Sequence, residues 1–236
     1  MHSPRCRYGR LKCRGNPVPA VVSSRRTRIL QREVRTFSQQ QVRTVTGELE
    51  RASETLELYR QAYPRDYRAA SNLANVDSML GQHEKGVEAA REALRLNSPS
   101  GATRVNLAEN LLRLNRFAEA KEVSEAALQR GLDNLLFYDY LYRIAFINGD
   151  GSTMQRQLDA MAARPDACMS LDWQADAFAF QGQLHEAQDF SQRAARQSIA
   201  SGAKGLDFRY GARAAFRGAV LNHCAEARSE ALPADA

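Results

Sequence analysis

Cysteine is scarce in this chain, four in 236 residues, which excludes a small secreted fold held by disulfides. Seven prolines and fourteen glycines are too few for collagen-like, mucin-like or wholly disordered classes. Long hydrophobic runs are missing as well. The best candidate, from Leu135 to Ile147, is interrupted by Asp139 and Arg143 and falls short of the roughly 20 residues that cross a bilayer. With 44% hydrophobic and 25% charged residues, the composition is that of a globular protein. The length allows one large domain, two small ones or a repeat array.

Acidic residues are nearly absent from one end. Residues 1–46 hold 11 basic side chains against Glu33 alone, a net of +10, while the remaining 190 residues carry 22 basic and 26 acidic side chains, a net of −4. The overall charge of +6 and the isoelectric point of 9.3 therefore describe an arm and not the body. Residues 1–30 contain Pro4, Pro17 and Pro19, many arginines and no apolar period, so a disordered basic leader is expected there. Such an arm suits contact with polyanions such as nucleic acid or anionic lipid, and it also has the composition of an organellar transit peptide. It has no apolar core of a secretory signal. Cys6 and Cys13 stand without a second Cys/His pair, which argues against zinc.

From about residue 30 apolar residues recur three and four apart, the period of helices. Gly47, Gly81, Asn115 and Gly149 follow at a strict 34-residue interval, and Gly182 comes 33 later. The strings after them are alike: Gly47-Glu-Leu-Glu-Arg-Ala52, Gly81-Gln-His-Glu-Lys-Gly86, Asn115-Arg-Phe-Ala-Glu-Ala120 and Gly182-Gln-Leu-His-Glu-Ala187. A sixth copy, Asn222-His-Cys-Ala-Glu-Ala227, follows after 40 residues. Glycine or asparagine suits a tight turn between helices because both tolerate a left-handed backbone. The small residue five positions on lets two helices approach closely.

This period and turn resemble the tetratricopeptide repeat (TPR). Leu73-Ala74, Gly81, Ala93 and Leu94 fall in its pattern, as do Leu107-Ala108, Ala120, Ala127 and Leu128, and Ala52, Leu56 and Pro64. The departures are Gly86 where alanine is usual, Ser98 where proline is usual, and Met154 and Met161 at small positions of the fourth unit. The resemblance implies an all-α, right-handed α-solenoid over residues 31–236, with units about 33–66, 67–100, 101–134, 135–167, 168–201 and 205–236. The last unit's second helix, from about Cys224, is expected to stop at Leu232-Pro233, short for a terminal cap. A closer likeness lies in Val45–Ala52, Tyr63–Tyr67, Gly81–Lys85, Arg91–Leu96, Tyr142–Asp150 and Met154–Leu158. These strings resemble the TPR region of multidomain bacterial serine/threonine kinases, acidobacterial ones especially; similar arrays follow winged-helix domains in transcriptional regulators.

Signs of catalysis are missing. There is no phosphate-binding glycine loop of G-x-x-x-x-G-K-[ST] type, no G-x-S-x-G, no H-E-x-x-H and no kinase catalytic loop. His83, His185 and His223 fall beside expected turns, where exposure is anticipated, and their spacing of a repeat or more keeps them from sharing a metal. Cys168 and Cys224 read as small buried apolar residues, and Trp173 as core. Phe137, Tyr138, Tyr140, Tyr142 and Phe146 crowd several faces of one helix, more than packing alone requires.

The resemblance implies a concave groove lined by the first helix of each unit. Carried over, its inward positions place Asn75, Met79, Glu109, Arg113, Asp139, Arg143, Phe146, Asp176 and Phe180 in that groove as partner-binding residues. Groove lysines and an arginine would be needed to clamp a terminal carboxylate, but those positions hold Ser71, Leu136 and Tyr140, so a carboxylate clamp is excluded. The expected role is a non-catalytic scaffold for a protein or peptide, without cofactor or metal, in the cytoplasm and away from membranes. One alternative is a detached sensory segment of a kinase or regulator. Another is nucleic-acid binding confined to residues 1–32. That last reading predicts affinity for DNA or RNA that falls steeply with salt and vanishes when residues 1–32 are deleted. Fluorescence anisotropy at two salt concentrations checks it; binding unchanged by the deletion removes the arm from consideration.

Overall fold

In the computed structural model, residues 47–97, 99–164, 166–202 and 206–220 are described. The basic leader, Cys6, Cys13, Ser98, His223, Cys224 and the string Asn222–Ala227 lie outside them. The described residues form ten α-helices and no strand: α1 (Leu49–Ala62), α2 (Tyr67–Met79), α3 (His83–Leu96), α4 (Gly101–Arg113), α5 (Phe117–Gln129), α6 (Leu135–Ile147), α7 (Gly151–Ala162), α8 (Cys168–Phe180), α9 (Leu184–Ala200) and α10 (Leu206–Val220). The chain is an all-α solenoid. Each helix packs on the next, and α2 also meets α4, α4 meets α6 and α6 meets α8. The first helices of successive hairpins thus form one layer and the second helices the other.

Local chemistry accounts for where the helices stop and start. Asp66, Ser100 and Asn134 each accept a backbone N–H of the following turn, from Arg68, Thr103 and Leu136, which caps α2, α4 and α6. The second helices α3, α5 and α9 start straight from the tight turn without a side-chain cap, whereas Asp150 caps α7 through the Thr153 N–H. Gly81 has φ +73° and Asn115 φ +57°, the left-handed backbone that reverses the chain in three residues. The residue after each closes the turn: Gln82 N–H donates to Asp77 O at 2.8 Å, Arg116 N–H to Leu111 O at 2.9 Å. The same bond recurs at Asp150 and Gln183, both at 2.9 Å. One turn geometry, repeated, sets the angle at which each hairpin closes.

Small side chains allow the layers to meet. Ala74, Ala90, Ala108, Ala120, Ala127, Ala175 and Ala194 are fully buried between helices. Larger residues fill the spaces they leave: Leu107, Leu111 and Ile144 pack with Ala74 and Ala90, and Phe137 with Ala108 and Ala127. The core is therefore a chain of local clusters passing from one hairpin to the next, as expected when no hairpin can cover its own apolar flank.

The departure at Gly86 has a structural cause. Asn110 on α4 is fully buried, and its Nδ2 donates to Ala74 O and Asn106 O, both at 2.9 Å. A Cβ at position 86 would fall 2.5 Å from Asn110 Oδ1, so glycine makes room for the amide. His83, anticipated to be exposed, is instead half-buried with Nδ1 3.2 Å from the same oxygen. The amide on the neighbouring hairpin draws the ring in, an effect invisible from the turn itself. His185 is exposed as anticipated. Gly86→Ala should lower stability by about 1–3 kcal/mol through overpacking. Adding Asn110→Ala frees the space, so the double variant should lose less than the two single losses together. Urea unfolding midpoints of the four proteins check this; strict additivity would refute the pairing.

Candidate functional site

The nine expected groove residues all lie on first helices, but they do not form one site. Asn75 and Met79 on α2 are exposed, and on α4 Arg113 Nε donates to Glu109 Oε1 at 2.8 Å. Asp139 on α6 is buried. The remaining four, Arg143 and Phe146 of α6 with Asp176 and Phe180 of α8, line a single cleft of about 650 Å³.

Helical spacing builds this cleft. Arg143, Phe146 and Ile147 stand three and four residues apart on one face of α6, and Trp173, Asp176 and Phe180 do the same on α8. Tyr142 and Trp173 form the buried end, their ring centres 6.0 Å apart. Phe146 meets Phe180 edge to face at 5.6 Å. Phe180 is 84% exposed and Ile147 54%, so the apolar wall opens to solvent. Trp173, expected as core, and Tyr142, one of the crowded aromatics, lie outside the nine groove residues; both are core and cleft at once. Of the five crowded aromatics of α6, only Tyr142 and Phe146 reach the cleft, while Phe137 and Tyr140 are buried elsewhere and Tyr138 lies under Arg164. The free thiol Cys168 is buried 3.5 Å from the Tyr210 hydroxyl, in a packing role.

The polar end of the cleft is a set of matched charges. Arg143 Nε donates to Asp139 Oδ1 at 2.8 Å. Burial raises the Asp139 carboxyl above its usual range even with Arg143 beside it. Burial, the largest single influence, would lower the Arg143 guanidinium, but the charge and hydrogen bond of Asp139, with the charges of Asp176 and Glu109, together hold the group above its usual range. Burial pushes the Tyr142 hydroxyl up to about 12, aided by the charges of Asp176 and Asp139. Asp176, expected as an open groove residue, is engaged by α10: Arg217 Nη1 reaches its Oδ1 at 2.7 Å, and Arg213 also bonds it. The same two arginines hold Asp172, with Arg213 Nη1 at 2.8 Å, and Arg217 also donates to Ser191 of α9. α10 is thus tied to α8 by ion pairs and to α9 by a hydrogen bond as well as by contact. A second depression of about 750 Å³, among α1, α2 and α3, is lined by charged residues partly paired with one another, such as Arg60 with Glu92.

Among the described residues no group of three His, Cys, Asp or Glu side chains could hold a metal, and no helix is long and apolar enough to cross a membrane.

Known proteins share the architecture. No protein-family profile matches the chain, and no curated protein matches it significantly. Several solved structures do resemble it. A thermophilic TPR protein of Thermus thermophilus is 18% identical, covering 75% of this chain and 96% of its own at a TM-score of 0.62. PilW, a type IV pilus biogenesis factor, is 18% identical and covers 83% and 90%, at 0.59. A TPR protein of Parabacteroides merdae is 13% identical and covers 85% and 77%, at 0.56. At these identities the likeness is one of fold, and the fold is that of TPR proteins.

Asp172 gives a pH signature. Burial, the largest influence, raises its folded carboxyl above the unfolded value, so its contribution to stability is present at low pH and is lost as pH rises through the raised value. Asp172→Asn lacks this titration. The stability of the variant relative to the parent should therefore improve as pH rises from about 4, the ordinary carboxylate value, read from urea midpoints. A difference independent of pH would contradict the assignment.

Proposed function

We propose that this protein is a non-catalytic interaction scaffold that holds a peptide or partner protein on the concave layer of first helices, with the α6–α8 cleft as its anchoring point. An array of this kind offers a long surface and no convergent reactive groups. The observation that supports the reading most is the open aromatic cleft: Phe180 and Ile147 remain exposed in an array whose other large aromatics on the same helices are mostly buried. Exposed apolar surface rimmed by charge is what partner binding uses. The few cysteines and the free, buried Cys168 suit a reducing, cytoplasmic compartment. The strings resembling kinase-appended arrays favour a second reading, a sensory segment whose groove reports to an output domain; it would use the same cleft.

The double substitution Arg143→Glu with Phe146→Ala tests the anchoring point. Retention of the partners captured by the full chain should fall about thirty-fold or more, the effect of losing about 2 kcal/mol at an interface centre. Circular dichroism should show unchanged helicity. Equal retention by parent and variant would move the docking site away from the cleft.

A further inference from the structure

We infer that the α6–α8 cleft takes an acidic–apolar pair: a large apolar side chain seated against Ile147 and Phe180, and a side-chain carboxylate on the outer edge of Arg143. The inference rests on the scaffold reading and adds the chemistry of the anchor.

The argument starts from the guanidinium. Arg143 spends only its Nε, on Asp139. Among the described residues its Nη1 and Nη2 meet no partner, and the side chain is 45% exposed. Those two nitrogens form a planar two-donor edge whose geometry matches a carboxylate. The neighbouring acids Glu109 and Asp176 attract it through space but make no hydrogen bond to it. Glu109 is held by Arg113 and by the Tyr140 hydroxyl, and Asp176 and Asp172 by Arg213 and Arg217. Four acids thus face four arginines; Arg143 is the one of these arginines among the described residues that line the cleft, and its Nη1–Nη2 edge is unspent. An amine-bearing ligand would have to displace the arginines of α10 from Asp176. An uncharged ligand would cover the guanidinium edge without replacing its water, which costs binding.

Spacing sets the second half of the pair. Arg143 and Ile147 are one turn apart on α6, as are Asp176 and Phe180 on α8. At 1.5 Å per residue the carboxylate and the apolar anchor are separated by about 6 Å. Positions three or four apart on a ligand helix give that distance, as do positions two apart on an extended chain.

Trp173, the only tryptophan of the chain, lines the cleft and serves as a built-in reporter. Tryptophan-free peptides of an Ala/Ser background, acetylated and amidated at their ends, would carry one Phe and one Glu at spacings of two, three or four. Gln counterparts and a Phe peptide with only a free C-terminal carboxylate complete the set. Titrated into the full chain, the Glu peptide of the preferred spacing should bind at least about ten-fold tighter than its Gln counterpart. Arg143→Lys, which keeps a charge beside Asp139, should shrink that ratio, and Arg143→Gln should abolish it while leaving the Gln peptide within about two-fold. Circular dichroism confirms that both variants are folded. Equal binding of Glu and Gln peptides, a ratio that survives Arg143→Gln, or recognition of the terminal carboxylate alone would overturn the proposal. If Phe peptides bind whatever their charge and Phe180→Ala weakens them, the scaffold reading stands and the acidic preference falls. If no peptide changes Trp173 fluorescence and partner retention also ignores the double substitution, both fall.

Discussion

A pair of helices of about thirteen residues has more apolar flank than its own partner can cover, and this mismatch governs the rest of the molecule. Stacking the next hairpin on the open flank is the available remedy, and it requires close approach at the contact lines. Fully buried alanines at positions 74, 90, 108, 120 and 127 supply that approach. The left-handed turn at Gly81, Asn115, Gly149 and Gly182 supplies a constant closing angle, so the same fit can be repeated. Where the fit departs from the pattern, a neighbour compensates: Gly86 gives up its side chain to the buried amide of Asn110 on the following hairpin.

The same stacking manufactures the candidate site. It brings residues about thirty to forty positions apart into contact, Tyr142 with Trp173, Phe146 with Phe180, Asp172 with Arg213. Second helices cover one side of the first helices, whereas nothing among the described residues lies over the other side at the cleft. Apolar residues at the C-terminal ends of α6 and α8 therefore open to solvent, while the charges one turn earlier neutralise one another within the layer. The cleft owes its polarity to this arrangement. Its apolar walls come from two hairpins, its acid is neutralised by a third, and Arg143 keeps part of its hydrogen-bonding capacity unspent.

Much of this protein is local chemistry, and local chemistry can be read in one dimension. The 34-residue interval, the glycine or asparagine at each turn and the apolar period of three and four determine the helices, the turns and the all-α stacked architecture, because each depends on residues within a few positions of one another. The placement of Arg143, Phe146, Asp176 and Phe180 on first helices follows from the same spacing. What only the tertiary structure decided is which of those side chains meet. Trp173 serves as floor as well as core, His83 is drawn half inside by Asn110, and Asp176 is held by arginines of α10 about forty residues away. These outcomes depend on the angle between successive hairpins and on side chains reaching across it. Neither quantity is carried by sequence neighbours, since the angle is set by the packing of whole helices against one another.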